Sequence, residues 1–213
     1  MQASSELRWH SAYTIDSSRM RLMPDNGVVS EQDRVRWDRR YAESPAVSID
    51  EVALPAVFAG FADVFPTCGR GLDLACGRGG VAVWLAQRGV DVCGFDVSPV
   101  AITQARALAD RCGVSGRCHF EVVDLDQGLP RVPQVDVLIC NKFRDARLDR
   151  PIADRLAPGG RLAISALRAV GPATGSFRVS VAELRRAFDG LAVIAAGETD
   201  GTAWLLARRG QAR

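Results

Sequence analysis

Apolar positions along the chain fall into short runs, and the spacing inside them alternates between two periods. The runs at 70–74, 90–96, 118–123, 135–140 and 161–167 are nearly continuous and rich in branched residues. That is the signature of strands buried on both faces of a parallel sheet. Between them the period is helical, over 80–88, over 98–112 with Ile102, Ala105 and Leu108, and at Leu148, Ile152 and Leu156. Ser98-Pro99 reads as an N-cap followed by proline at the first helical position. Pro158-Gly159-Gly160 stops the helix before the fifth strand, and Ser180 with Glu183 makes a capping box for a helix running to about Phe188. Two last strands, 191–196 and 202–207, are joined by the short polar link Gly197-Glu198-Thr199-Asp200-Gly201, which predicts an antiparallel pair. The expected fold is α/β, a doubly wound, mostly parallel seven-stranded sheet with an antiparallel C-terminal hairpin and right-handed crossovers.

The first third of the chain patterns differently. Residues 1–30 show no periodicity and hold the turn signal Pro24-Asp25-Asn26-Gly27, so they read as a mobile or loosely docked arm, with Met20 or Met23 as alternative starts. From about residue 31 a helical pattern places Trp37 and Tyr41 on one face at i, i+4. Those rings either cover the core or form a lid over a ligand. Ser48 and Glu51 form a second capping box, and Pro55 leads into a helix carrying Leu54, Val57, Phe58, Phe61 and Val64. The expected organisation is one domain over 31–213 with a helical lid at about 31–65.

Composition narrows the class of protein. The 213 residues suffice for one domain with a substantial core, and 47% apolar with 24% charged residues is the balance of a water-soluble globule. No apolar run reaches the ~20 residues of a membrane span, and no secretory leader is visible, so the expected compartment is the cytoplasm. Net charge is +2 and acids interleave with arginines, as in 31–43, so the one-sided basic stripe of a nucleic-acid binder is missing. Six cysteines without a CxxC pair read as reduced thiols, and with only His10 and His119 no metal site is expected. Cys112 and Cys118 flank a turn and could meet.

The chemistry gathers at the strand ends. In a doubly wound sheet, ligands bind beyond the carboxyl ends of the strands. Here those ends are Asp73 to Gly79, Asp96, Asp124 and Asn141 to Phe143. Three acids each end a consecutive apolar strand, and Asp96 lies about 20 residues past the glycines, where a carboxylate can accept both hydroxyls of a ribose. Gly77-Arg78-Gly79-Gly80-Val81-Ala82 also fits a dinucleotide fingerprint. Two features oppose that reading: Asp73 puts negative charge beside the ligand, and too little chain follows for a separate substrate domain.

Asp73-Leu74-Ala75-Cys76-Gly77-Arg78-Gly79 resembles the first motif of class I S-adenosylmethionine-dependent methyltransferases, which have a Rossmann-like sheet. Gly94-Phe95-Asp96-Val97-Ser98-Pro99 resembles their ribose-binding motif, Val123-Asp124-Leu125 the adenine-side segment, and Leu156-Ala157-Pro158-Gly159-Gly160 the turn before the fifth strand. The Trp37 to Tyr41 segment is similar to the tellurite-resistance and thiopurine methyltransferase-like branch. The resemblance covers about 31–209. It implies that Asp73, Ala75, Gly77 and Gly79 shape the methionine end of the pocket. Asp96 would hold the ribose, Val97 and Leu125 would flank adenine, and Asp124 would bond its amino group. Asn141 would line the floor through its backbone, and Trp37 and Tyr41 would close over the cofactor. Ala75 stands where the family commonly has glycine, and its methyl is expected to be tolerated. Asn141-Lys142-Phe143 replaces the Asn-Pro-Pro-Tyr of base amino-methylating enzymes, which argues against that activity.

A sulfonium donor is already activated, so the enzyme has mainly to orient the nucleophile and exclude water. Neither histidine is expected as a general base: His10 lies in the arm and His119 reads as a core residue of the third strand. That favours a small-molecule nucleophile that ionises easily, a thiol or other soft chalcogen centre, with Lys142 and Arg144 as candidates for orienting an anionic substrate. The rival readings are a nicotinamide-dependent oxidoreductase and an inactive methyltransferase-like binding subunit. The chain is expected to be a monomer or homodimer.

Overall fold

The computed structural model describes residues 27–168 and 178–211. Most of the arm expected over 1–30 therefore lies outside the described residues. The sheet consists of β1 (Arg70–Leu74), β2 (Asp91–Asp96), β3 (Cys118–Val122), β4 (Val135–Cys140), β5 (Leu156–Arg168), β6 (Arg178–Val179), β7 (Ala192–Thr199) and β8 (Thr202–Arg208). The strand order is β3-β2-β1-β4-β5-β8-β7, with the two-residue β6 beside the end of β5. β1 to β5 pair in parallel, and β8 runs antiparallel to both β5 and β7. The chain steps outward from β1 to β2 and β3, then returns to β4 on the other side of β1. Ligand sites form at such a reversal point, because the neighbouring crossovers leave a crevice there.

Both faces of the sheet are covered, which is why the strands read as continuous apolar runs. Leu72, Leu74, Leu138 and Cys140 pack on one face with Ile152 of α4 (Asp149–Arg155) and Leu184 of α5 (Val181–Ala187). Val92, Val137, Ile139 and Ala163 pack on the other with Val83 and Leu85 of α2 (Gly80–Gln87) and Ile102 and Leu108 of α3 (Pro99–Arg111). The three caps read from the sequence are in place, Ser48 N donating to Glu51 Oε2 at 2.8 Å. Ser98 Oγ accepts the Ala101 N–H at 3.1 Å, and Ser180 N donates to Glu183 Oε2 at 2.8 Å.

Four elements depart from the sequence reading. Ala56–Val64 is a 3₁₀ segment with a kink at Phe61, although its apolar spacing suggested an α-helix. Phe61, at φ −117°, interrupts helical backbone there, and burial of Phe58 and Phe65 holds the segment. β5 begins at Leu156, paired with Val135, ahead of the Pro-Gly-Gly turn. Pro158 biases the residue before it to extended backbone, so the chain has left the helix by then. β7 continues to Thr199, and only Asp200 and Gly201 make the turn. His119 is not a core residue. It lies on the edge strand β3 with its side chain 39% exposed, 2.6 Å from Glu121 Oε1. An edge strand is covered by a neighbour on one side only, so its side chains reach solvent more easily than those of β1 or β4.

Candidate active site

The strand register brings the predicted acids together. Asp73 is level with Gly94 and Leu74 with Phe95, while β4 places Cys140 beside Leu74 and hence Asn141 beside Ala75. Two backbone bonds extend the pairing past the strands: Cys76 N to Phe95 O and Val123 N to Asp96 O, each 2.9 Å. Asp124 follows directly, its Oδ1 accepting the Asp126 N–H at 2.9 Å in a tight turn.

Asp96 organises the glycine turn. It is 5% exposed, and its two oxygens accept backbone N–H groups, Oδ2 from Gly77 at 2.8 Å and Oδ1 from Ser98 at 3.0 Å. One carboxylate thus ties the β1 turn to the N-cap of α3. Burial raises its pKa, and the Ser98 and Gly77 N–H groups oppose the rise.

Asp73 is the less satisfied acid. It is 2% exposed, it faces the Ala82 N–H at the start of α2, and its Oδ2 has no hydrogen-bond partner. Burial, reinforced by the Asp96 charge, pushes its carboxyl up to about 8. A buried, unpartnered carboxylate oxygen is costly unless a cation or donor joins it.

The glycines have separable reasons. Gly77, at φ +52°, lies under Tyr41, where a Cβ would stand 2.9 Å from the phenol oxygen. Gly79, at φ +77°, faces α3 and β3 instead, where a Cβ would stand 2.8 Å from the Ala105 Cβ and 3.0 Å from Phe120. Ala75 also takes a left-handed backbone, at φ +52°. Its methyl group is therefore tolerated at a cost, about 1–2 kcal/mol for a residue with a Cβ. Ala75→Gly is expected to raise thermal stability by about 1 kcal/mol, measured by denaturant melts; a lower midpoint would show that the methyl packing outweighs the strain.

The segment α1 (Gly27–Glu43) packs over α3 and brings the aromatics to this turn. Trp37 and Tyr41 stack with ring centroids 5.7 Å apart, and the Arg36 and Arg40 guanidiniums lie over Trp37 at 5.5 and 5.2 Å. Burial, with Asp96 and Cys76 nearby, raises the Tyr41 pKa, so the phenol stays protonated. Sequence reasoning missed what fastens the segment. Asp38 Oδ1 accepts from Ser98 Oγ at 2.5 Å, Gln104 Nε2 donates to Tyr41 O at 3.1 Å, Arg111 donates to Val47 O at 2.7 Å, and Arg78 donates to Pro45 O. Asp38 looked like one more interleaved charge, and no local signal pairs it with Ser98.

Other predicted positions sit at the margins. Val97 is half-buried, while Leu125 is 7% exposed and packs into the core beneath the strand ends. Asn141 is half-buried and its Oδ1 accepts from Ser165 Oγ at 2.7 Å. Lys142 is exposed, with φ +59°. Arg144 turns to Asp149 of α4, its Nη2 2.6 Å from Oδ2 with both side chains largely buried, while its Nε has no hydrogen-bond partner.

Residues 72–160, the span that holds all of these strand ends, match the family described as a methyltransferase domain. Residues 72–160 are thus similar to a methyltransferase domain, and the fold is that of class I S-adenosylmethionine-dependent methyltransferases. Magnesium protoporphyrin IX methyltransferase of Synechocystis PCC 6803, solved with S-adenosylmethionine bound, superposes with a TM-score of 0.63 at 20% identity, covering 89% of this chain and 99% of that one. TehB from Haemophilus influenzae gives 0.63 at 17%, over 83% of this chain and 66% of that one. Ribosomal RNA small subunit methyltransferase C of Alcanivorax borkumensis is 36% identical over 110 residues, 47% of this chain and 33% of that protein. The chain thus spans between a third and about half of the curated relatives it matches first, 33% of one and 51% of another.

The buried acids at these strand ends fit S-adenosylmethionine in charge. The orphan oxygen of Asp73 is the group a cationic ligand would satisfy, and the lack of a side chain at Gly77 lets the Tyr41 phenol come down against the turn. No helix among the described residues is long and apolar enough to cross a membrane.

Proposed function

We propose that this protein transfers the methyl group of S-adenosylmethionine to a small-molecule nucleophile, a thiol or other soft chalcogen centre. The observation that carries the cofactor side is the convergence of Asp73, Gly77 and Asp96 at the β1/β4 reversal point, with one buried carboxylate oxygen unpaired. Asp73 and the backbone at Ala75, Gly77 and Gly79 would receive the methionine end, and Asp96 the ribose. Val97, Asp124 and Leu125 would border the adenine, Asn141 the floor, and Trp37 and Tyr41 the lid. The cofactor supplies an electrophilic methyl group on a positively charged sulfur.

The protein's own part is positioning. A fixed pocket that holds donor and nucleophile in line can lower the barrier by roughly 7–11 kcal/mol. The stacked Trp37 and Tyr41, held down by Asp38 and Gln104, would exclude water from the turn. No group at these strand ends is assigned as a general base: Asp73 is given to the cationic donor, Tyr41 is held protonated, and His119 lies out on the edge strand beside Glu121. The thiols of Cys76 and Cys140 are also pushed up by burial, so neither is an available nucleophile. A substrate that ionises by itself, as a thiol does, needs no base.

The expected result is methylation of thiols from S-adenosylmethionine with little or no turnover of aliphatic alcohols of matching size, followed by mass spectrometry. Methylation of an aliphatic hydroxyl with none on thiols would overturn the choice of acceptor. The compartment we infer is the cytoplasm, the substrate a small molecule rather than a nucleic acid, and the assembly a monomer or homodimer.

A further inference from the structure

The turn after β4 contains a hydrogen-bond relay that the cofactor pocket does not explain. Ser165 on β5 is fully buried, and its place in the register is opposite Asn141, one step past the Cys140 to Ile164 pair. Its Oγ accepts the Lys142 backbone N–H at 3.0 Å and lies 2.7 Å from Asn141 Oδ1. A buried hydroxyl proton needs an acceptor, and the Asn141 carbonyl oxygen is the one within reach. That fixes the carboxamide in one orientation. Its oxygen is engaged by Ser165 and its nitrogen is turned away, with no acceptor among the described residues. The same relay holds Lys142 at φ +59°, a conformation costly for a residue with a Cβ, and leaves its ammonium exposed. The turn therefore offers donors and positive charge, while its side-chain acceptor is occupied.

We propose that Ser165 is a positioning residue that presents Asn141 Nδ2 and the Lys142 ammonium to a carboxylate on the methyl acceptor. This rests on the strand ends being the methyl-transfer site and names the acceptor's class: a small molecule carrying a carboxylate near the nucleophile. Two N–H donors suit the two oxygens of a carboxylate, and a donor-only turn disfavours an amino group, whose protons need an acceptor. Arg144, paired with Asp149, backs the turn electrostatically without spending its charge on the substrate.

The test uses the full chain loaded with S-adenosylhomocysteine. Short aliphatic and aromatic monocarboxylates, and the primary amides of the same skeletons, are titrated by calorimetry. At least one skeleton is expected to bind roughly tenfold tighter as the carboxylate, the worth of about one charge-assisted hydrogen bond. Asn141→Asp is expected to abolish that preference. Ser165→Ala should reduce it severalfold, because the carboxamide can then rotate, and Ser165→Thr should restore it by keeping the hydroxyl. S-adenosylhomocysteine affinity should stay unchanged in both Ser165 variants. Absence of any carboxylate preference, or a preference that survives Asn141→Asp, overturns the proposal. Should Ser165→Ala fail to fold, Asn141→Asp decides alone, since Asn141 is only half-buried. Wild-type protein that does not bind S-adenosylhomocysteine would remove the methyl-transfer reading and this proposal with it. Carboxylate preference without thiol turnover would support this proposal and remove the choice of a sulfur acceptor only.

Discussion

Asp96→Ala is expected to lower S-adenosylmethionine affinity by at least tenfold and to destabilise the protein at the same time. Both effects follow from one carboxylate having two tasks. Its inner lone pairs accept the Gly77 and Ser98 N–H groups at 2.8 and 3.0 Å in a site that is 5% exposed. Removing an ionised acceptor from two buried donors costs about 1.5–3 kcal/mol for each bond. Asp96→Asn does not repair this, because one of the two backbone donors would then face an amide NH₂. The remaining lone pairs are those proposed to meet the ribose hydroxyls. Calorimetric titration alongside thermal melts separates the two tasks. Unchanged cofactor affinity in a folded Asp96→Ala protein would refute the ribose assignment, whatever happens to stability.

Asp73→Asn is expected to flatten the pH dependence of both stability and cofactor binding. In the folded protein the Asp73 carboxyl is pushed up to about 8, chiefly by burial, against an ordinary value of 3.8. Between those two pH values the folded state holds one more proton than the unfolded state. Stability from this group is therefore present below the unfolded value, falls as pH rises toward about 8, and is level above it. A cationic ligand favours the ionised carboxylate, so its binding expels that proton. Affinity for S-adenosylmethionine is expected to rise by up to about tenfold per pH unit below pH about 8 and then to level off. Asparagine keeps the acceptor that faces Ala82 N–H and removes the charge. The variant should bind the cofactor more weakly at pH about 8, lose the slope, and gain stability at neutral pH relative to wild type. An unaltered slope would show that Asp73 does not face the cationic group.

Much of this fold was legible from residue order because each parallel strand is covered on both faces. Leu72 and Leu74 serve one layer, Val137 and Ile139 the other, and such strands must read as unbroken apolar runs. Local capping chemistry was legible for the same kind of reason: Ser98 bonds three residues ahead, as does Ser180. The convergence of Asp73, Asp96 and Asn141 followed from topology alone, since parallel strands put all their carboxyl ends on one side.

What escaped depends on contacts between distant residues. Asp38 meets Ser98 across 60 positions and Ser165 meets Asn141 across 24, and neither leaves a periodic trace. The 3₁₀ form of Ala56–Val64 and the exposure of His119 were lost because spacing records which residues are apolar, not how tightly a short segment coils or which strand ends at an edge. Arg144 was read as a candidate for orienting an anionic substrate, and its pairing with Asp149 on the next helix is a contact that no local spacing signals. Ala75 was expected to tolerate its methyl where the family commonly has glycine, and its left-handed backbone, which no spacing pattern reveals, gives that methyl a cost.

The glycine turn with its three strand-end acids is proposed to hold a cationic methyl donor rather than a dinucleotide. Parallel calorimetric titrations of the full chain with S-adenosylmethionine and with NAD test it most directly. One-to-one binding of S-adenosylmethionine, a raised melting temperature in its presence, and no heat or stabilisation from NAD are expected. Stabilisation by NAD with none from S-adenosylmethionine would contradict it.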